Sequence, residues 1–340
     1  MKSVICFGEA LIDFLLFNQM DQAPLTLNEF RQYPGGAPAN AAVAVAKLGG
    51  HACFAGQVGD DPFGHFLADA LARYHVDVRF LSKHPTAKTA LAFVMLDETG
   101  DRSFSFHRDN TADILFEKSQ VSDEWFENSP ILHFCSNTLT DTAIAECTQH
   151  VVEKAKQHNA LISFDVNLRH NLWAEGEANV ARVNNLVEQS HLIKFSKEEL
   201  DYLAEGDNPA YLKACLEKDC KLILVTDGPN TLRYYTRSVS GELSPPKVSV
   251  ADTTAGGDAF IGGFLFALSQ LDDEYLVDDQ LFEASSKLET LLNFAAHCGA
   301  CAVTKPGAFP ALPDKNTTLQ SLEQHGQAIA PLNELLRSTS

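Results

Sequence analysis

Short runs of consecutive apolar residues recur along the chain, separated by segments whose apolar positions fall three and four apart. The runs "VICFGEA" (4–10), "ACFAGQV" (52–58), "ILHFCS" (131–136), "LISFDV" (161–166), "HLIKFS" (191–196) and "KLILVT" (221–226) show little alternation. That pattern predicts strands buried on both faces. Between the runs, "DPFGHFLADALARYHV" (61–76) sets Phe63, Phe66, Leu67, Ala70, Leu71 and Tyr74 at helical spacing. Alternation of strands and helices predicts right-handed crossovers and an α/β fold, a mostly parallel sheet flanked by helices. No repeat, low-complexity tract or linker divides the chain, so 1–340 reads as a single domain.

One region breaks this rhythm. "TALAFVMLDETGDRSFSFHR" (89–108) is two β-rich runs joined by a turn rich in Asp and Gly, which predicts a hairpin. The stretches 11–17 and 29–33 supply further strands beside it. The expectation is a small antiparallel sheet acting as a lid over the crevice at the strand carboxyl ends, where such folds bind ligands. A sheet standing clear of the body exposes apolar surface, which points to a homodimer formed through it.

Composition narrows the partners. The 340 residues are 45% hydrophobic and 21% charged, as in soluble globular proteins. A net charge of −19 and a pI near 4.9 disfavour nucleic acid and anionic membranes. An anionic ligand would need a pocket with its own positive field. The opening "MKSVICFGEALIDFLLF" starts like a signal peptide, but Glu9 and Asp13 interrupt it, and no run has the length of a membrane span. The eight cysteines lie mostly in apolar segments without framework spacing, which suits the cytoplasm. "HCGAC" (297–301) reads as small residues on a packed helix, since a zinc site would want a second pair.

The stretch "DTTAGGDAF" (252–260) carries the candidate chemistry. It leads into the apolar "IGGFLFALSQL", as a loop enters a helix N-terminus, where free N–H groups and the helix dipole attract anions. Gly256 and Gly257 let the main chain approach an oxyanion. Taken alone, Asp258 is either an N-terminal capping carboxylate or a general base beside an anion hole. Neither the Walker loop G-x-x-x-x-G-K-[ST] nor the dinucleotide pattern G-x-G-x-x-G occurs where it would be needed.

A second glycine cluster, "YPGGAPANAAVAVAKLGG" (33–50), runs into an Ala-rich helix. With "DTTAGGDAF" it resembles the two signature regions of the ribokinase-like (PfkB) carbohydrate kinases, and the resemblance covers residues 1 to about 311. "GEALIDF", "GQVGDDPFGHFLADAL", "SFSFHRDNTAD" and "SFDVNLRHNLW" are similar to segments of the bacterial fructokinases within that family.

The resemblance implies a ribokinase-like three-layer fold and transfer of the γ-phosphoryl group of ATP, with Mg²⁺, to the 6-hydroxyl of D-fructose. It makes Asp258 the catalytic base, with the N–H groups of Gly256, Gly257 and Asp258 as anion hole. Asp13, Gly36 and Asn40 would hold the sugar, and Arg108 and Arg169 would reach the sugar or the phosphates. Asn167 and Lys194 would line the phosphate path, with Thr226, Gly228 and Asn293 near the nucleotide. Glu199 would stand in the Mg²⁺ water shell, although Ser196 occupies the place of the family's asparagine in N-x-x-E. Asp252 and Thr254 would lie at a K⁺ site.

The residues also leave alternatives. For Asp13 the other reading is a carboxylate buried at a strand end, and for Asn40 a helix cap. Each arginine, taken singly, could be a surface ion pair, and Asn293 a polar residue on a packed helix. The family usually has Gly-Ala where Ala255-Gly256 stands, so a positive φ demanded of Ala255 would strain the loop. A 2-keto-3-deoxygluconate kinase shares most of these motifs, and a non-catalytic sugar sensor could be built on the same fold.

Overall fold

The computed structural model describes residues 1–96, 102–271, 280–283 and 285–336. Its strands are β1 (Val4–Phe7), β2 (Leu11–Gln22), β3 (Leu25–Gly35), β4 (Ala52–Gly59), β5 (Asp77–His84), β6 (Leu91–Leu96), β7 (Arg102–His107), β8 (Ile131–Cys135), β9 (Leu161–Asp165), β10 (Leu192–Ser196), β11 (Leu222–Thr226), β12 (Leu232–Tyr235) and β13 (Ser240–Leu243). Nine of them make one sheet in the order β13-β12-β11-β10-β9-β8-β1-β4-β5. All six predicted buried strands are present and pair in parallel. The sequence reading missed β5, whose residues are only partly buried, and the antiparallel edge pair β12–β13.

Two helical layers cover this sheet. On one face lie α1 (Ala37–Lys47), α2 (Pro62–Arg73), α7 (Gly256–Ser269) and the helix Ser285–Ala302. On the other lie α3 (Thr142–Gln157), α4 (Val180–Val187), α5 (Lys197–Leu203) and α6 (Asn208–Leu216). The long helix α7 is buried from Asp258 to Ser269, because it runs between two other helices. Adjacent glycines allow that closeness. A Cβ on Gly262 would fall 2.5 Å from the Ala44 Cβ of α1, and one on Gly263 would fall 2.7 Å from the Cys298 Sγ. The "HCGAC" stretch is thus a packing surface, with Cys298 buried and Cys301 partly covered.

From β1 the chain moves outward to β4 and β5, then returns to β8 on the other flank of β1. The carboxyl ends of β1 and β8 therefore border a topological switch point, where open α/β sheets form their binding crevice. Over it stands a second sheet of order β3-β2-β6-β7.

That second sheet corrects one expectation. It is mixed and not antiparallel, because β2 and β6 pair in parallel while β2–β3 and β6–β7 are hairpins. The chain between β2 and β6 makes a whole excursion through β3, α1, β4, α2 and β5, so a parallel return is free to form. Its strands are also longer than the 11–17 and 29–33 expected; the turn expected between β6 and β7 lies outside the described residues. Among the described residues, no helix is long and apolar enough to cross a membrane.

Candidate active site

Two helix N-termini meet beneath the small sheet. Helix α1 starts at Gly36, whose φ of 102° favours glycine and whose Cβ would lie 2.5 Å from the Glu9 carbonyl oxygen. One turn in, the Asn40 N–H donates to the Gly36 carbonyl at 2.8 Å, so Asn40 is no cap. Its side-chain amide instead donates to Asp258 Oδ2 at 2.7 Å.

Helix α7 starts after Ala255, which has φ −110° and ψ 12° and no side-chain cap. Ala255 therefore needs no left-handed conformation, and the reversed Gly-Ala order introduces no strain there. Asp258 is the third helical residue and caps nothing; its carboxylate faces Asn40. The Gly256 N–H turns back to the Thr253 carbonyl at 3.3 Å. First-turn position leaves the Gly257 and Asp258 N–H groups without an intrahelical acceptor, the condition in which helix N-termini attract anions.

Burial pushes the Asp258 carboxyl up to about 7, helped by the neighbouring Asp165 charge. The Asn40 hydrogen bond, Arg169 and Lys194 oppose that rise. A carboxylate titrating near neutrality at a helix N-terminus combines a proton acceptor with an anion site.

On the β1–β8 side the crevice is lined by acceptors that sequence reasoning overlooked. Glu9 follows β1 and Asn137 follows β8, and the Asn137 amide donates to Glu9 Oε1 at 2.8 Å. The Ala37 N–H of α1 donates to the same oxygen at 3.2 Å. Glu9 Oε2, Asn40 Oδ1 and Asn137 Oδ1 are buried without a protein hydrogen-bond partner. Oxygens in that condition are costly unless a donor reaches them. Burial, partly offset by Arg108 and Asn137, raises the Glu9 carboxyl.

Asp13 lies half-buried within β2, opposite Tyr33 of β3 and against Gly35, where a Cβ would overlap its carboxylate. Arg108 is buried, its side chain 5% exposed. Its guanidinium pairs with Asp113 at 2.6 Å and donates to the Asn137 carbonyl at 3.0 Å and to Thr140 Oγ1 at 3.2 Å. It is a buried ion pair bracing Asn137. No sequence signal separates such a brace from a ligand-binding arginine.

Across α7 from the acceptors, the ends of β9 and β10 bring charge. The Lys194 ammonium contacts both oxygens of Asp165, at 2.8 and 3.0 Å. Asn167, at φ 40°, and the exposed Arg169 follow on the same loop. Glu199 closes a capping box on α5, accepting the Ser196 N–H at 2.7 Å, and also accepts the Leu168 N–H at 2.8 Å. Burial raises its carboxyl despite Lys194 nearby.

Beyond Gly257 opens a cleft of about 620 Å³, walled by Thr226, Gly228, Pro245–Val248, Phe260 and Ala296, among others. Thr226 and Gly228, expected near the nucleotide, both line this cleft. Asn293 is not on that wall: it lies three residues before Ala296, about 4.5 Å back along the helix axis. Asp252 Oδ1 accepts the Thr254 N–H at 2.8 Å and Oδ2 accepts the Gly307 N–H at 2.9 Å, which ties together the loops behind the cleft.

Known proteins resemble this chain in sequence and fold. The model of the pfkB family of carbohydrate kinases matches residues 1–315. The probable chloroplastic fructokinase-6 of Arabidopsis thaliana is 37% identical over 325 residues, covering 94% of this chain and 82% of that protein. A Xylella fastidiosa fructokinase with bound ATP superposes with a TM-score of 0.89 at 40% identity, covering 96% of this chain and 99% of its own. The Vibrio cholerae O395 fructokinase in its fructose, ADP and calcium form reaches 0.83 at 33% identity, over 95% and 99%.

Proposed function

The chain belongs to the pfkB family of carbohydrate kinases, and from that premise we propose that it transfers the γ-phosphoryl group of MgATP to the 6-hydroxyl of D-fructose. The observation that carries the mechanism is Asp258, a buried carboxylate titrating near neutrality beside two free helix amides. The sugar lies in the crevice against Asp13, Gly36 and Asn40, and ATP in the cleft beyond Gly257. Asp258 accepts the acceptor hydroxyl's proton as the oxygen bonds to phosphorus, and ADP leaves with the electron pair of the broken P–O bond. The Gly257 and Asp258 N–H groups face the charge that develops on the transferring group.

The orphaned oxygens of Glu9, Asn40 and Asn137 suit a ligand rich in hydroxyl donors, as a sugar is. The described residues gather no group of three His, Cys, Asp or Glu side chains fit to hold a metal. Mg²⁺, which neutralises phosphate charge and prefers water and phosphate oxygens, would be carried on the nucleotide, with the Glu199 carboxylate in its water shell. Arg169 and Lys194 supply the positive field that an acidic protein needs for ATP. Asp252 and Thr254 are our K⁺ candidates. An ADP-release assay over fructose, 2-keto-3-deoxygluconate, tagatose, glucose and ribose should show highest kcat/KM for fructose, and faster turnover in K⁺ than in tetramethylammonium. A preference for 2-keto-3-deoxygluconate would refute the acceptor, and sugar binding without turnover would favour a sensor.

A homodimer through the small sheet fits the same picture. Among the described residues, β6 pairs β2 along Ile12–Leu15, and beyond them the β2–β3 hairpin runs as two strands. It exposes Phe17, Met20, Leu25 and Leu27, and such a ribbon is marginal in water by itself. Sedimentation should give a dimer for the native chain and a monomer for Phe17→Glu; a monomeric native protein at micromolar concentration would remove the idea.

A further inference from the structure

Asp165 falls outside every role described so far, yet its neighbours give it one. It ends β9, beside Lys194 of β10 in the parallel register, and the Val166 N–H donates to the Lys194 carbonyl at 2.9 Å. The side chains make a bidentate ion pair and are 1% and 7% exposed. The Lys194 Nζ lies 3.7 Å from where a Cβ on Gly257 would stand. The ammonium is thus held beside the first turn of α7, within contact distance of where a side chain at 257 would begin.

We infer that Asp165 is a positioning residue: it fixes the Lys194 ammonium beside Gly257, where the charge serves the incoming phosphates, and keeps it from pairing with the Asp258 carboxylate. This rests on the reading of Asp258 as the base. Lys194 feels Asp258 as well as Asp165 and Glu199, and these carboxylates together outweigh the burial that works against its charge. An unrestrained ammonium would neutralise the base by forming an ion pair with it. With Asp165 in place, the base sees a carboxylate that raises it and an ammonium that lowers it, the carboxylate being the stronger of the two. The other groups facing Asp258 are Asn40 of α1, Arg169 after β9 and the Cys135 thiol of β8, which burial keeps neutral.

The test is the acid limb of kcat/KM for the sugar at saturating MgATP, in Asp165→Asn, Lys194→Met and the double variant. Asp165→Asn removes a negative neighbour and frees Lys194, so the limb should move down by roughly one pH unit or more. Turnover should fall at least about 10-fold as the base weakens. Lys194→Met leaves two carboxylates facing each other, so its limb should move up. The double variant should return the limb close to its native position, with turnover still low.

A merely structural pair would lower activity without opposite shifts. Limbs that stay in place, or move in the same direction, in both single variants overturn the inference. Should the single variants fail to fold, the double variant, which buries no unpaired charge, carries the test. In it, a limb displaced by about a unit is then the overturning result. Failure here is distinct from failure of the proposed function, which would appear as turnover surviving in Asp258→Asn.

Discussion

Replacing Asp258 with asparagine is expected to lower kcat by about 100- to 10,000-fold, the usual range for losing a general base. The substitution is nearly isosteric, and an amide oxygen can still accept from the Asn40 side chain. Sugar and ATP affinities should therefore change little, with the loss falling on turnover. The pH dependence gives a second readout. Only the ionised carboxylate accepts a proton, so native kcat/KM should rise with pH through a limb near 7, where burial has moved this group. Asp258→Asn should lose that limb along with the rate. Near-native turnover, or an unchanged limb in the variant, would remove Asp258 from the chemistry.

The parts of this site legible in the sequence are those whose geometry is local. A glycine pair before an apolar run marks the N-terminus of α7, and "GGAPANAA" marks that of α1. Each motif encodes its own turn and helix start. The capping alternative for Asp258 fell only once Asn40, 218 positions earlier in the chain, was found 2.7 Å away. Glu9, Asn137 and Asp165 escaped because each looks like an ordinary polar residue at a strand end. Their significance comes from neighbours on adjacent strands, which only sheet order supplies. Arg108 shows the converse: its motif was recognised, but the motif gives no sign of its ion pair with Asp113 or its bond to the Asn137 carbonyl. The buried strands announced themselves through unbroken apolar runs, whereas β5, with one side partly open, carried no such signal.

The contact between α1 and α7 couples packing to chemistry, and Gly262→Val should expose that coupling. Asn40 and Asp258 hydrogen-bond because the two helices lie almost backbone to backbone, with Gly262 facing Ala41 and Ala44. A Cβ at 262 would stand 2.5 Å from the Ala44 Cβ and 3.0 Å from the Ala41 carbonyl oxygen. Neither atom can swing aside, since one is on a backbone stub and the other is backbone. The helices must separate, at a cost of about 1–3 kcal/mol or more for overpacking a tight core. Separation also pulls Asn40 from Asp258, and misplacing a reacting group by about 1 Å can cost on the order of 100-fold in rate. Thermal melting and steady-state kinetics should thus show a lower Tm and a kcat loss together. Moving the methyl across the interface, in Ala44→Gly with Gly262→Ala, should recover most of both. A Gly262→Val protein with native Tm and turnover would mean that the helix spacing does not hold the base in place.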